Sequence, residues 1–188
     1  MTGRIEKHTT IYQGWLTLRM ATVRLDDGTA EDRVIVDHPS GATVLLYNPE
    51  RRTALLITEL RPPVEWVAEP RMLEAVAGKL DEADPEGCAR REAEEEAGVR
   101  IAAMEHVARL WMTPASSTER VDYYLASYSE ADRVSQGGGA EGEHENIRVR
   151  EVALTELLHM AEAGEIRDAK TFLLLQALQL RRPDLFVT

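Results

Sequence analysis

The chain has 188 residues and a formal net charge of -11 at pH 7, which fits one substantial domain with an appendage. The acidic excess argues against binding to a nucleic acid backbone, which requires a basic face. We find no apolar run long enough to span a membrane and no signal-peptide core, so we expect a soluble, cytoplasmic protein without a membrane partner. The single cysteine, Cys88, excludes an intrachain disulfide.

The first part of the chain has the pattern of a β-hairpin. Apolar residues alternate through residues 11–25, a turn signal follows at Asp26-Asp27-Gly28-Thr29, and residues 33–36 can form the returning strand. A two-stranded ribbon is marginally stable alone, so it should pack on the core or on a second subunit. We therefore predict an N-terminal β region at residues 1–40 that supports a homodimer, followed by the main domain at residues 41–188.

The main domain alternates short strands with helices. Apolar runs at residues 42–47 and 53–60 predict a second hairpin, and the stretch from Arg61 to Pro70, which carries Trp66, reads as an irregular loop. Further strands are expected at residues 72–77, 107–112, 121–128 and 147–152, and the last two helices at residues 155–163 and 169–181. This order predicts an α/β sandwich with helices packed on a mixed sheet rather than a doubly wound Rossmann sheet.

One further helix is bounded on both sides. Residues 78–99 read GKLDEADPEGCARREAEEEAGV, in which Asp84 can cap the helix, Pro85 suits its first position and Gly98 can end it in a left-handed conformation. Glu92, Glu95 and Glu96 then share one face, where like charges repel by roughly 0.2–0.5 kcal/mol per pair. A hard divalent cation such as Mg2+ would offset that repulsion. The alternative is a solvated face with Arg–Glu pairs one turn apart.

The second half of this segment resembles the signature of the Nudix hydrolases. The matching positions are Arg91, Glu92, Glu95, Glu96, Gly98 and Val99. The loop before Arg91 is one residue shorter than the usual pattern, and the first glutamate of that pattern has no exact counterpart; Glu82 and Asp84 are the two candidates to replace it. The resemblance implies a Nudix-type α/β/α sandwich with a mixed sheet, preceded here by the N-terminal hairpin region.

The resemblance also implies a set of metal ligands and a catalytic loop. Glu92 and Glu96 would bind Mg2+, or Mn2+ in its place, with the main-chain carbonyl of Ala77 and the side chain of Glu145. Glu95 is either a further ligand or is held by Arg91. The glycine-rich residues 135–145 would form a mobile lid in which Glu143 is the candidate general base, the alternative being a disordered connector.

Similarity over almost the whole chain points to the nucleotide-sugar branch, nearest to bacterial GDP-mannose hydrolases, with ADP-ribose hydrolases slightly further away. In that branch the segment matching GEIRDAKT contacts substrate through a lysine, here Lys170. The same resemblance places five more residues at the substrate: Trp15, Arg33, Arg61, Gly78 and Glu119. Arg33 and Arg61 could equally be surface charges, and Trp15 a core or interface residue.

These observations predict Mg2+-dependent hydrolysis of the diphosphate bond of a nucleoside diphosphate sugar resembling GDP-mannose. The products would be a nucleoside monophosphate and a sugar 1-phosphate. An alternative in the same class is an ADP-ribose pyrophosphatase that yields AMP and ribose 5-phosphate. An alternative from another class is a catalytically inactive nucleotide-binding Nudix module, which would be expected to lose the metal-binding glutamates.

Overall fold

A computed structural model describes residues 3–80, 83–139 and 146–187, in which the chain divides into two compact units. The first comprises Met1–Gly41 and Arg109–Val121, and the second comprises Ala42–Ala108 and Asp122–Thr188. The first unit therefore takes in a later segment of the chain, 109–121, as well as the N-terminal region predicted from sequence.

The N-terminal region is a three-stranded antiparallel sheet rather than a hairpin. Its strands are β1 (Arg4–Gln13), β2 (Thr17–Arg24) and β3 (Ala30–Asp37), in that spatial order. The turn at Gly28 is where the sequence predicts it, but the single strand expected over residues 11–25 is wrong. A tight turn closed by the Gly14 N–H on the Leu16 carbonyl, at 2.9 Å, divides it into β1 and β2.

The second sheet has six strands. These are β4 (Gly41–Asn48), β5 (Thr53–Thr58), β6 (Val76–Lys79), β7 (Glu105–Trp111), β8 (Arg120–Ser127) and β9 (Arg148–Ala153). Their order is β7-β8-β4-β5-β9, and β6 pairs with β4. Most of β4 and β5 is buried, as expected for continuous apolar strands covered on both faces. The predicted mixed α/β architecture is confirmed.

Within the residues that the structure describes, four α-helices accompany the sheets: α1 (Pro62–Trp66), α2 (Pro85–Ala97), α3 (Leu154–Glu162) and α4 (Ala169–Arg181). The stretch expected to be an irregular loop contains α1, because two prolines fix φ in the helical range at the positions where a helix tolerates them. Small residues of α2, among them Ala89, Ala93 and Ala97, lie in the apolar core with strands β4 and β5. Across the described ranges, no helix is both long and apolar enough for a membrane crossing.

Candidate active site

Helix α2 begins and ends where its sequence predicts. Asp84 caps it by accepting a hydrogen bond from the Gly87 N–H at 3.0 Å, and Pro85 is its first residue. Gly98 adopts φ +70°, and its N–H bonds back to the carbonyls of Ala93 and Glu94. Between these ends, α2 packs against the short strand β6.

Glu92 lies over the backbone of Gly78. A Cβ atom added to Gly78 would lie 2.0 Å from Oε1 of Glu92 and 2.4 Å from its Cγ. The absence of a side chain at Gly78 therefore creates the space that the Glu92 carboxylate occupies. Gly78, predicted to contact substrate, lies in direct contact with a predicted metal ligand.

Glu96, one turn further along α2, contacts the neighbouring residue of the same strand. Its side chain is buried, and its Oε2 accepts a hydrogen bond of 3.2 Å from the Ala77 N–H. The structure thus brings together Glu92, Glu96, Ala77 and Gly78, as the sequence predicts. Two carboxylates from one helix face meet two consecutive residues of one strand.

Arg91 links Glu92 to Glu95. Its Nη2 lies 3.0 Å from Oε1 of Glu92, and its Nη1 lies 3.6 Å from Oε2 of Glu95. This cation reduces the repulsion between carboxylates on the shared face. Arg91 therefore contacts the predicted ligand Glu92 more closely than it contacts Glu95. In the described part of the chain, no three His, Cys, Asp or Glu side chains form a ready-made metal cluster.

The donor set at this point suits a hard divalent cation. Glu92 and Glu96 offer carboxylate oxygens one helical turn apart, and Ala77 adds a main-chain carbonyl next to the space left by Gly78. Oxygen donors alone, with few carboxylates, match Mg2+, which usually keeps positions for water and substrate phosphates. The residues present therefore fit the predicted metal.

Glu74 is a charged residue of this region that the sequence analysis missed. It lies in an apolar stretch, is only 2% exposed, and forms hydrogen bonds of 3.1–3.2 Å with Nε and Nη2 of Arg61. A glutamate within a buried apolar run was the signal that could have identified it, because buried acids need a partner.

The predicted substrate residue Arg61 is held among acidic groups. Burial acts to lower the pKa of its guanidinium, but the hydrogen bond to Glu74 and the charges of Glu74, Glu59 and Glu96 outweigh it, so the pKa lies above its usual value. The influence of Glu96 on this pKa puts Arg61 within electrostatic range of the metal-binding candidates.

Lys170, the other predicted substrate cation of this unit, lies in the first turn of α4. Its Nζ is 2.6 Å from Oδ1 of Asp168 and 3.6 Å from Oε2 of Glu74. Asp168 also caps α4 by accepting hydrogen bonds from the Thr171 N–H at 2.9 Å and hydroxyl at 2.7 Å. Arg61 and Lys170 therefore share Glu74 as a counter-ion.

Three predicted substrate residues belong to the first unit. The Trp15 ring meets the His38 ring edge-on, with centroids 4.9 Å apart, and Nδ1 of His38 lies 3.6 Å from Oε1 of Glu119. The guanidinium of Arg33, which is largely exposed, pairs with Glu31. Trp15 and Glu119 thus contact the same histidine, and Arg33 is paired within its own strand.

The described part of the glycine-rich segment is attached to α2. The Gly138 N–H bonds to the Glu96 carbonyl at 2.9 Å, and the Gly139 N–H bonds to the Glu95 carbonyl at 3.1 Å. These bonds satisfy carbonyls that the end of a helix leaves without partners. Residues 135–139, at the start of the predicted lid, are thus joined to the end of α2 by backbone hydrogen bonds. Glu143 and Glu145 lie outside the described residues.

Comparison with protein-family models identifies residues 37–175 as a NUDIX domain. The chain belongs to the Nudix family. The match includes α2 and every candidate metal ligand named above. Membership of the Nudix hydrolases explains why Arg91–Glu96 and Gly98 match the family signature. It also makes this protein a hydrolase, as the sequence predicts.

Two curated Nudix relatives carry the same name. The chain is 44% identical over 152 residues to a GDP-mannose pyrophosphatase of Cronobacter sakazakii, which covers 79% of this chain and 78% of the relative. It is 38% identical over 174 residues to a GDP-mannose pyrophosphatase of Klebsiella pneumoniae, covering 89% and 86%. The predicted resemblance to that branch is confirmed.

A solved structure shares the Nudix fold. It is described as the crystal structure of an ADP compounds hydrolase and superposes with a TM-score of 0.79, covering 98% of this chain and 96% of that one. The sequence identity is 15%, so the likeness concerns the fold. It confirms that the predicted α/β sandwich architecture is of the Nudix type.

Proposed function

We propose that this protein hydrolyses the diphosphate bond of a nucleoside diphosphate sugar such as GDP-mannose, giving a nucleoside monophosphate and a sugar 1-phosphate. The observation that carries the proposal is the meeting of Glu92 and Glu96 with the Ala77–Gly78 backbone. The names of the curated relatives support the substrate class. Retention of both carboxylates argues against an inactive binding module.

The reaction places one water oxygen on a phosphorus atom and breaks one bridging P–O bond. A bound Mg2+ would neutralise charge that develops on the diphosphate oxygens. Glu92, Glu96 and the Ala77 carbonyl would hold this ion, and Arg91 would keep Glu92 and Glu95 oriented. Arg61 would bind a phosphate group, because its raised pKa keeps its charge at every working pH.

The remaining roles fall on the glycine-rich segment. We assign Glu145 as a further metal ligand and Glu143 as the base that takes the proton of the attacking water. Glu145→Gln should then weaken metal binding, whereas Glu143→Gln should lower turnover with unchanged metal affinity. Full activity of both variants would contradict this assignment.

A substrate panel with product analysis tests the proposed function. The protein is incubated with Mg2+ and GDP-mannose, ADP-ribose, ADP-glucose or a diadenosine polyphosphate, and products are identified by phosphorus NMR. We expect GMP and mannose 1-phosphate, with GDP-mannose cleaved most efficiently. Preferred cleavage of ADP-ribose would make ADP-ribose the substrate in place of GDP-mannose. No cleavage of any compound would support the alternative of an inactive nucleotide-binding module.

A matched pair of variants on α2 tests the metal site within the same assay. Glu96→Gln should lower turnover by about two orders of magnitude or more, because it removes a charge that stabilises the transition state. Glu94→Gln is the control, since Glu94 pairs with Arg100 at 2.8 Å outside the predicted site. Equal activity of both variants would contradict the metal role of Glu96.

We also propose a homodimer formed through the N-terminal sheet. The sheet exposes large apolar side chains: Ile5, Ile11, Tyr12 and Trp15 are each more than half exposed. A second copy of the chain would cover such a surface. Sedimentation at micromolar concentration should report twice the chain mass, and a compact monomer would overturn the proposal.

A further inference from the structure

Residues 74–77, which precede α2 in the chain, form the strand segment that carries the Ala77 carbonyl. At its start, Glu74 exchanges backbone hydrogen bonds with Ile57 on β5, at 2.8 and 2.9 Å. Further along, the Val76 carbonyl accepts the Thr43 hydroxyl at 2.9 Å. The segment is thus held on one side by the neighbouring strands of the sheet.

Two amides of the same segment bond to side chains instead. The Ala75 N–H donates to the Thr171 hydroxyl oxygen at 2.6 Å, and the Ala77 N–H donates to Glu96 at 3.2 Å. Residues two apart in a strand face the same way, so these two amides lie on one side of the segment. One is held by α4 and the next by the predicted metal-binding helix.

The Thr171 hydroxyl is fixed in the orientation that accepts from Ala75. It is buried, and it donates its one proton to Oδ2 of Asp168 at 2.7 Å, which leaves its lone pairs for the Ala75 N–H. Asp168 is itself buried and is neutralised by Lys170 at 2.6 Å. The first turn of α4 therefore presents an oriented acceptor to the strand.

A charged contact strengthens the same connection. Nζ of Lys170 lies 3.6 Å from the buried carboxylate of Glu74, the residue that precedes Ala75. The start of α4 thus contacts two consecutive residues of the segment, one through a hydroxyl and one through a charge. Both contacts come within three residues of Ala77.

We propose that Thr171 is a positioning residue for the metal site: its hydroxyl fixes the strand at Ala75 and thereby places the Ala77 carbonyl and the amide that orients Glu96. The proposal rests on the proposed metal-dependent hydrolysis. It gives the GEIRDAKT segment a role beyond a substrate contact by Lys170. Residues that orient metal ligands typically change metal affinity or activity by about 10- to 100-fold when they are replaced.

Three variants of Thr171 and one control test this role. Thr171→Val keeps the shape and removes the acceptor, Thr171→Ala removes it without added bulk, and Thr171→Ser restores the hydroxyl. The control is Thr53→Val, which removes a threonine hydroxyl that donates to Glu151 at 2.6 Å on the β5–β9 pair. Each protein is first checked by circular dichroism and thermal unfolding.

Metal binding is then measured without substrate, by calorimetric titration with Mn2+ alone. We expect the valine and alanine variants to bind Mn2+ about tenfold more weakly or worse, and the serine variant to bind like the original protein. The Mg2+ concentration for half-maximal hydrolysis should shift by the same factor, with little change in KM for the nucleotide sugar at saturating Mg2+. Thr53→Val should lower the thermal midpoint without changing Mn2+ affinity.

Several outcomes would overturn the role of Thr171. One is unchanged Mn2+ affinity in the valine and alanine variants, and another is an equal loss in Thr53→Val, which would indicate general destabilisation. Failure of both variants to fold, with a folded serine variant, would make the hydroxyl a requirement of the fold alone. If the original protein cleaves no substrate, the proposed function fails, but the Mn2+ titrations still decide whether Thr171 positions the metal ligands.

Discussion

Gly78 affects Glu92 through the space that it leaves for the glutamate side chain, and not through a hydrogen bond. Any side chain at Gly78 would enter the volume of the Glu92 carboxylate and of its Cγ, so the whole glutamate side chain would have to move. Gly78 is not among the described glycines with positive φ, so its backbone tolerates alanine. The requirement for glycine therefore comes from the neighbouring carboxylate.

Gly78→Ala should lower turnover and metal affinity, because it displaces Glu92 from its position over the Gly78 backbone. We expect a loss of about tenfold or more in kcat/KM with a small change in the thermal midpoint. Steady-state kinetics at several Mg2+ concentrations measures it. Gly28→Ala is the control for activity: its φ of +87° strains the turn between β2 and β3, but a Cβ there meets no atom within 4 Å. Activity of Gly78→Ala equal to that of this control would contradict the coupling.

Tyr128 is a second residue whose surroundings set its chemistry. Burial and the negative charge of Glu151 raise the pKa of its phenol from 10.0 to about 12. Its hydroxyl donates to Oε1 of Glu151 at 3.2 Å, and Thr53 and Arg51 bond to the same carboxylate. The folded protein therefore favours the neutral phenol.

The Tyr128 phenol should lose its proton at a higher pH than an ordinary tyrosine does. Because its folded pKa is raised, its contribution to stability is complete below pH 10 and is lost as the pH rises toward about 12. An ultraviolet titration of the phenolate should show an ionisation near pH 12, and Tyr128→Phe should remove that step. An unchanged titration curve in the phenylalanine variant would refute the assignment.

At the scale of elements, the end of α2 is built into the loop that follows β8. Gly98 has φ +70°, and a Cβ there would lie 2.3 Å from the carbonyl oxygen of Ser135. Gly164, just beyond α3, has a similar φ of +75° but no atom within 4 Å of a Cβ position. Gly98 and Gly164 thus share a backbone conformation, but only Gly98 has other atoms close to the position of an added Cβ.

Gly98→Ala should therefore destabilise the protein more than Gly164→Ala. The Gly164 variant should lose about 1 kcal/mol of unfolding free energy, which is the cost of a left-handed residue with a side chain. The Gly98 variant should lose roughly 2–4 kcal/mol, because the loop at residues 135–137 must also shift. Urea unfolding measures the loss of unfolding free energy in both variants. Equal losses would contradict the prediction, because they would show that the loop at residues 135–137 shifts without a cost in free energy.

Helices with capping residues were predictable from sequence, whereas some strand boundaries were not. Asp84, Gly98 and Asp168 mark helix ends through local hydrogen bonds, which depend on neighbouring residues only. The turn between β1 and β2 was missed because Gly14-Trp15 lacks the Asn-Gly or Asp-Gly pair typical of hairpins. Helix α1 was missed because its five residues show no periodicity.

The site was predictable where the residues share one helix or follow a family signature. Glu92, Glu96 and Gly78 were predicted in this way, and the structure places both glutamates against the Ala77–Gly78 backbone. The sequence analysis missed Glu74 and Thr171 because their contacts join segments almost a hundred residues apart. Glu74 lies 3.6 Å from Lys170, and Thr171 accepts a hydrogen bond from the Ala75 N–H. The apolar run around Glu74 could have marked it as a buried acid, but no local pattern in one sequence identifies the distant partner of such a residue.

At the scale of the whole molecule, a net charge of -11 makes bound cations a source of stability. Carboxylates such as Glu92 and Glu96 repel each other in the metal-free protein. A cation that binds only the folded state stabilises it by mass action, by about 2.7 kcal/mol at one hundred times its Kd. The effect of a specifically bound cation can be separated from the general effect of ionic strength, because only the bound cation requires Glu92 and Glu96.

Mg2+ should raise the thermal midpoint more than NaCl of equal ionic strength does. For a chain of this size, each kcal/mol of stabilisation corresponds to about 2–4 °C. Differential scanning fluorimetry of the original protein and of a Glu92→Gln/Glu96→Gln variant measures the difference. The excess effect of Mg2+ should disappear in the double variant, and its persistence would place the bound ion elsewhere.

The side-chain bonds of Ala75 and Ala77 have a consequence for hydrogen exchange. Each amide is protected by a group from a different helix: the Ala75 N–H by the hydroxyl of Thr171, and the Ala77 N–H by the carboxylate of Glu96. Exchange of the first amide therefore reports local opening at α4, and exchange of the second reports movement of a single carboxylate. Two amides of one strand segment, two residues apart, can thus follow the two sides of the site separately in the intact protein.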